Sequence, residues 1–275
     1  MNLQETEKLH MGTVPRKLMK TLVLLIPVAI VVLGIIAPPA SVLDKAHLIG
    51  YGICHQIPER TFFFNDRPLP LCARCSGTYL GAVLGFLGLV ATGRRRVGEL
   101  PPKHVILVLF GFIVLMGLDG LNSYLTFFPN TPHLYEPHNL LRLTTGLLNG
   151  LALILIVYPV FNYTLWQNVD NRRSITTLWE LLFFLPGIGL IIWIMASGSG
   201  FWLYPLSIIS TFGVLLMLTM VNTMIILILI RRESVASTWR EAVVPLLWGL
   251  VFGMGELGVM IAVRAFLTQA MGLPI

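Results

Sequence analysis

The chain has 275 residues, of which 56% are hydrophobic and only 12% charged, against about 25% charged in an ordinary soluble domain. Recurrent uncharged apolar runs and a mean hydropathy of +0.81 exclude a single water-soluble globule and indicate an all-α polytopic membrane protein. The formal charge of +6 is no sign of a nucleic-acid partner. The basic residues form short clusters between apolar runs, not a basic face interleaved with aromatics.

Residues 1–20 read as a polar cytoplasmic tail ending in Arg16, Lys17 and Lys20. Thr21 to Ala37 is the first apolar run, stopped by Pro38-Pro39. It is longer than a signal-peptide core, and its prolines suit cleavage poorly, so an uncleaved span with a cytoplasmic N-terminus is expected. Residues 41–71 form the longest polar loop, in which Pro58, Pro68 and Pro70 argue against a long helix after Cys54. Phe62-Phe63-Phe64 suits either a membrane interface or packing over helix ends.

The second span is expected from Cys72 to Thr92, with Gly77, Gly81 and Gly85 spaced as a doubled GxxxG face. Arg94-Arg95-Arg96 and Lys103 follow it. The third runs from His104 to Thr126, and at 1.5 Å per residue Asp119 lies about 22 Å along it, near the far interface. The loop 127–138 has no Lys or Arg and contains His133, Glu136 and His138. The fourth span, Asn139 to Phe161, opens with Arg142 and carries Gly146 and Gly150. Three more follow at Leu178–Ala196, Phe201–Ile230 and Glu241–Leu267, the last with Glu256 and Arg264. The reading is seven spans, with helices one to four (21–160) as one unit and helices five to seven (161–275) as a second.

The loop charges give this arrangement a sidedness. Arg94–Arg96, Arg172/Arg173 and Arg231/Arg232/Arg240 all fall on one side, which the positive-inside bias makes cytoplasmic. The cysteine loop on the other side carries Lys45, Arg60 and Arg67, with Arg74 just beyond, against that bias. Basic residues kept there have a role: Arg60, Arg67, Arg74, Arg142 and Arg264 either bind together an anionic group such as a lipid phosphate, which guanidinium clasps bidentately, or snorkel singly to the interface.

All three cysteines, Cys54, Cys72 and Cys75, lie in that region, with His55 beside the first. Three soft ligands and an imidazole match a closed Cys3His zinc site. Cys72 and Cys75 at a helix start share a face, as a metal corner needs. Cys54 and His55 are adjacent, so both reach one ion only if the chain turns there. The same CxxC, with Arg74 between its cysteines, also suits a thiol–disulfide oxidoreductase. Asp119, Glu136, His138 and Arg142 converge on the same side as a candidate catalytic set, although Asp119 pairing with Arg142 across spans three and four is the default for charges near the bilayer. Glu256 suggests a third class, a small-solute or ion transporter, but no inverted repeat accompanies it.

The pattern Cys54-His55-Gln56…Arg60, Cys72-Ala73-Arg74-Cys75-x-Gly77-x-Tyr79, Asp119-Gly120, then Asn139-Leu140-Leu141-Arg142-Leu143-Thr144-Thr145-Gly146 resembles a family of prokaryotic predicted membrane proteins known as a domain of unknown function. The resemblance covers roughly residues 50–150 and implies that these positions form a unit; it brings no activity. Where the family reads Asp-Gly-x-Gln, this chain has Asp119-Gly120-Leu121-Asn122. The expectation is an extracytoplasmic zinc site ordering an outward polar pocket in a bilayer-embedded protein, acting on a lipid-linked or anionic substrate.

Overall fold

A computed structural model describes residues 16–128, 132 and 134–271, with side chains from residue 21 onward. Residues 1–15 of the expected tail, His133 with residues 129–131 of the polar loop, and residues 272–275 lie outside the described residues. Helix α1 (Arg16–Ile36) lies against the last helix, where the indole of Trp248 donates to the Val23 carbonyl at 3.0 Å. Helix α2 (Val42–Ile53) occupies part of what the sequence presented as loop. Its apolar positions Leu43, Ala46 and Gly50 recur on one face and are buried, and Ser41 caps its start by accepting from the Asp44 N–H.

The chain then makes a short hairpin, β1 (Phe63–Phe64) with β2 (Arg67–Pro68), turned by Asn65 and Asp66 with positive φ. Phe64 is fully buried, packing over the helix ends, while Phe63 is exposed. Helix α3 (Ala73–Ala91) leads through β3 (Val97–Glu99) to α4 (Lys103–Leu125), and α5 (Asn139–Leu165) follows. Strand β4 (Asp170–Arg173) pairs in parallel with β3. The fifth apolar stretch is broken into α6 (Leu178–Leu182) and α7 (Leu185–Ser197), with Pro186 in the first turn of α7. Then α8 (Leu203–Leu229) and α9 (Trp239–Ala270) complete the bundle.

Six helical stretches among the described residues are long and apolar enough to cross a membrane: α3, α4, α5, Leu178–Ser197, Gly200–Leu229 and α9. The protein is a multi-pass membrane protein, and the count is six, not the expected seven. The seventh candidate is α1, whose described apolar part, Thr21–Ile36, is shorter than the others. It spans about 24 Å at 1.5 Å per residue, against about 30 Å of hydrocarbon.

The centre of the bundle is a contact between α3 and α5, made possible by the two glycine series. A Cβ on Gly77 would lie 2.3 Å from the Leu143 carbonyl oxygen, and one on Gly150 only 1.8 Å from that of Thr78. Glycine at these positions lets two backbones touch. The contacts run 77 with 146 and 81 with 147, so α3 and α5 lie parallel and begin at the same end of the bundle.

The opposite end gathers the basic loops. The β3–β4 pair joins the loop after α3 to the loop after α5, and a bridge from Trp166 to Ala236 adds the loop after α8. Arg94 pairs with Glu180 at 2.6 Å, and Arg96 lies over the Trp166 ring.

Candidate metal centre

The cysteine end is built from the C-terminus of α2, the N-termini of α3 and α5, and the last turns of α4. Cys54 is the first residue past α2, with extended backbone, and Cys72 is the residue before α3. Both are buried, and the Cys72 N–H donates to the Cys54 sulfur at 3.2 Å. The three cysteines are not bridged to one another. Ligand atoms of Cys54, His55 and Cys72 all lie within 4.8 Å of one another. Two ligands bound tetrahedrally to one zinc lie about 3.8 Å apart, so a small contraction brings this trio to coordination distance. The thiol of Cys75 faces those of Cys54 and Cys72 from the first turn of α3, but it stands outside that mutual set.

His55 therefore joins its neighbour Cys54, despite their adjacency. The chain turns directly after it, at Gln56, whose φ is +52°, and the His55 Nδ1 accepts from the Ile57 N–H at 3.1 Å. That bond uses Nδ1 and leaves Nε2 for a metal or for Cys72. The Gln56 amide then ties the turn down, donating to the carbonyls of His47 (3.0 Å) and Pro70 (2.7 Å). Gly50 makes room for this, since a Cβ there would lie 2.1 Å from the Pro70 oxygen.

The thiols are electrostatically unequal. The Cys72 thiol is held well below its ordinary value, first by the hydrogen bond from Cys54, then by that from Cys75, with His55 adding to it. Cys54 is pushed up to about 11, mainly by that same bond to Cys72. A thiol binds a metal as the thiolate, and the mutual hydrogen bonds of these groups favour Cys72 as the acceptor among them.

Arg264 of α9 anchors the corner from outside. It donates to the carbonyls of Tyr51 (2.7 Å), Cys54 and His55 (2.9 Å), capping α2 as a basic side chain caps a helix C-terminus. Its guanidinium also lies over the Tyr51 ring, so it is spent on structure and is not part of the anion set that the sequence allowed. An apolar groove of about 540 Å³ opens beside it between α2 and α9, lined by Ile53, Cys54, His55, Val259 and Val263 among others. Arg67, another member of that set, is exposed on β2.

Beside the cysteines lies a second, polar cluster. Asp119 is buried, and its partner is Arg74 instead of the expected Arg142. The Arg74 Nε donates to Asp119 Oδ2 at 3.1 Å, and the Tyr135 hydroxyl donates to Oδ1 at 2.8 Å. Arg142, also buried, donates to Asn139 Oδ1 at 2.8 Å and to Ser123 Oγ at 3.4 Å. Both arginines reach the 119–123 side of α4: Arg74, from the first turn of α3, takes the carboxylate, while Arg142 divides between the Ser123 hydroxyl and Asn139 of its own first turn. Burial, and then the bond to Asp119, push Tyr135 up to about 12. Asn122 holds the outer loop down, donating to the Tyr135 carbonyl (2.9 Å) and accepting from the Leu134 N–H (2.7 Å).

The other two expected members are peripheral. His138 is exposed and caps α5, its Nδ1 accepting from the Leu141 N–H at 3.4 Å. Glu136 is exposed on the same loop. Sequence reasoning missed Ser123 and Tyr135. The signal for Ser123 was present: positions 119, 122 and 123 put three polar side chains on one face of an otherwise apolar α4.

Comparison with known proteins covers the resembling stretch. A family model described as predicted membrane protein (DUF2085) matches residues 54–156. An uncharacterised protein of Methanothermobacter thermautotrophicus is 34% identical over 104 residues, which is 38% of this chain and 83% of that protein. The chain belongs to this membrane-protein family. An uncharacterised protein of Methanocaldococcus jannaschii is 28% identical over 109 residues, covering 40% of this chain and 64% of that protein, a little under two thirds of its length. No solved structure matches the chain. Every candidate residue, from Cys54 to Arg142, falls inside the matched region.

Proposed function

We propose that Cys54, His55, Cys72 and Cys75 hold a zinc ion at the extracytoplasmic face of the membrane, and that this ion orders a polar site taking a lipid-linked or anionic substrate. The observation that carries the reading is the trio of ligand atoms from Cys54, His55 and Cys72 within 4.8 Å, with both cysteines buried. Cys75 completes the set by a small movement of the first turn of α3. Bound zinc would contribute on the order of 10 kcal/mol to ordering the segment between Cys54 and Cys75.

The sidedness rests on the basic loops gathered at the opposite end, and it holds whether or not α1 crosses. A cytoplasmic N-terminus additionally requires α1 to cross. Within the site, Arg142 binds substrate, while Asp119 positions Arg74 and Tyr135. His138 and Glu136 stand at the rim of the site, exposed to solvent. The apolar groove beside His55 suits the tail of a lipid-linked molecule.

Elemental analysis of the purified protein, with thiol counting under non-reducing conditions, tests this. One zinc per chain and three thiols that react only after chelation are expected. Metal-free protein with a Cys72–Cys75 disulfide overturns it in favour of the thiol oxidoreductase. Placing the 41–71 segment in the cytoplasm, by labelling an introduced cysteine such as Asp66→Cys in whole cells, overturns the sidedness.

A further inference from the structure

Three guanidinium groups converge on one residue at the cysteine end. Ser123 of α4 accepts from Arg60 Nη2 at its carbonyl (2.8 Å), and its hydroxyl accepts from Arg74 Nη2 (3.0 Å) and Arg142 Nε (3.4 Å). Ser123 is fully buried and neutral. Each arginine lies within electrostatic reach of the others, Arg60 of Arg74, and Arg142 of both. Three positive charges thus crowd one point, and the buried carboxylate among them is Asp119.

Asp119 and, from the rim, Glu59, which lies within electrostatic reach of Arg60, leave the three guanidinium groups in excess by one. Glu59 and Glu136 are exposed at the rim. A corner of one zinc, three thiolates and a histidine would add one net negative charge nearby, at the cysteine ligands and not at the arginine donors. Burying like charges together near a bilayer costs several kcal/mol unless something neutralises them. At this end the partial positive charge of the α3 and α5 N-termini is offset by the partial negative charge of the α2 and α4 C-termini, so the helix ends do not neutralise the guanidinium groups.

The donors also have capacity to spare. Hydrogen bonds among the described residues use Nη2 of Arg60, Nε and Nη2 of Arg74, and Nε and Nη1 of Arg142. They leave Nη1 of Arg60, Nη1 of Arg74 and Nη2 of Arg142 with none. Planar forks with free donors match the oxygens of a phosphate group, which carries about −1.5 to −2 charge as a monoester.

We propose that Arg60, Arg74 and Arg142, gathered on Ser123, form a binding site for a phosphate or pyrophosphate group beside the cysteine corner. This deepens the proposed function by naming the substrate's anionic group, and it rests on that reading only in taking this end as the working face. Arg67 and Arg264 lie outside the site.

The full-length protein in neutral detergent is titrated with inorganic pyrophosphate. In a second arm it is placed in nanodiscs of phosphatidylcholine with phosphatidylglycerol, and retained lipid is counted by native mass spectrometry. Saturable, salt-sensitive pyrophosphate binding supports the site and identifies a free phosphate as ligand. Selective retention of phosphatidylglycerol alone supports it and identifies a lipid headgroup. Arg142→Gln and Arg60→Gln each weaken binding on the order of tenfold, while Arg67→Gln leaves it unchanged. Arg60 is only half-buried, so Arg60→Gln with an unchanged unfolding midpoint keeps the test valid should Arg142→Gln misfold. Binding in neither arm, or undiminished binding by Arg60→Gln, overturns the proposal. Zinc retained without anion binding overturns this site alone, whereas anion binding by zinc-free protein upholds it and removes the metal reading.

Discussion

Buried Asp119 and half-buried Arg74 form an ion pair across α3 and α4, with Arg74 in the same helical turn as Cys75. The pair holds the end of α4, a helix otherwise largely exposed to lipid, against the start of the helix that carries the CxxC. Whatever the cysteine corner does, its geometry is coupled to α4 through this contact.

Removing either member leaves a charge in a dry site. Asp119→Leu or Arg74→Met is expected to cost about 3–5 kcal/mol, whereas the double change Arg74→Met/Asp119→Leu recovers much of that loss. Unfolding in denaturing detergent measures both. Additive losses in the double variant contradict the pairing.

The α3–α5 contact makes a steric prediction. Gly150→Ala, which places a Cβ 1.8 Å from the Thr78 oxygen, destabilises by about 1–3 kcal/mol as the helices separate. Gly117→Ala on α4 meets nothing within 4 Å and stabilises by up to about 1 kcal/mol. Thermal unfolding midpoints of the two variants shift in opposite directions.

Arg264 supports the metal corner without belonging to it. Arg264→Leu frees the carbonyls of Tyr51, Cys54 and His55, and zinc affinity falls about 10–100-fold, as for supports around a ligand set. Competition against a fluorescent chelator reads this directly. Unchanged affinity with a lowered unfolding midpoint assigns Arg264 to the bundle alone.

His47 gives the cysteine loop a pH dependence. Burial holds its imidazole below the ordinary value of 6.5, partly offset by Asp44. A histidine with a depressed folded value contributes stability that is present above about 6.5 and lost as pH falls through the folded value. Protease susceptibility of the 41–71 segment is expected to rise on acidification below 6.5, and His47→Phe removes that part of the dependence. A variant with the wild-type profile counts against it.

Much of this was legible in the sequence. Hydropathy located the spans because twenty apolar residues in a row have one physical use, and the GxxxG series marked α3 and α5 as the helices that touch. The closeness of Cys54, His55 and Cys72 was visible as well, whereas Cys75, expected with them, stands outside that mutual set. Helix α2 was hidden because its short amphipathic face sits in a proline-punctuated segment whose composition reads as loop. Arg264's role was hidden too, since it bonds to backbone carbonyls more than 200 positions away, and no residue type announces such a bond.

Composition and periodicity by themselves determined a multi-pass helical membrane protein, its basic loops and the cysteine corner, because these depend on local pattern and on transfer into lipid. Only the tertiary structure decided that Asp119 pairs with Arg74, that Ser123 gathers three arginines and that His55 turns back to Cys54. Those choices depend on how far each helix is rotated and shifted against its neighbours. Backbone contacts at Gly77, Gly81, Gly146 and Gly150 fix that register for α3 and α5, and with it the direction in which Arg74 and Arg142 point.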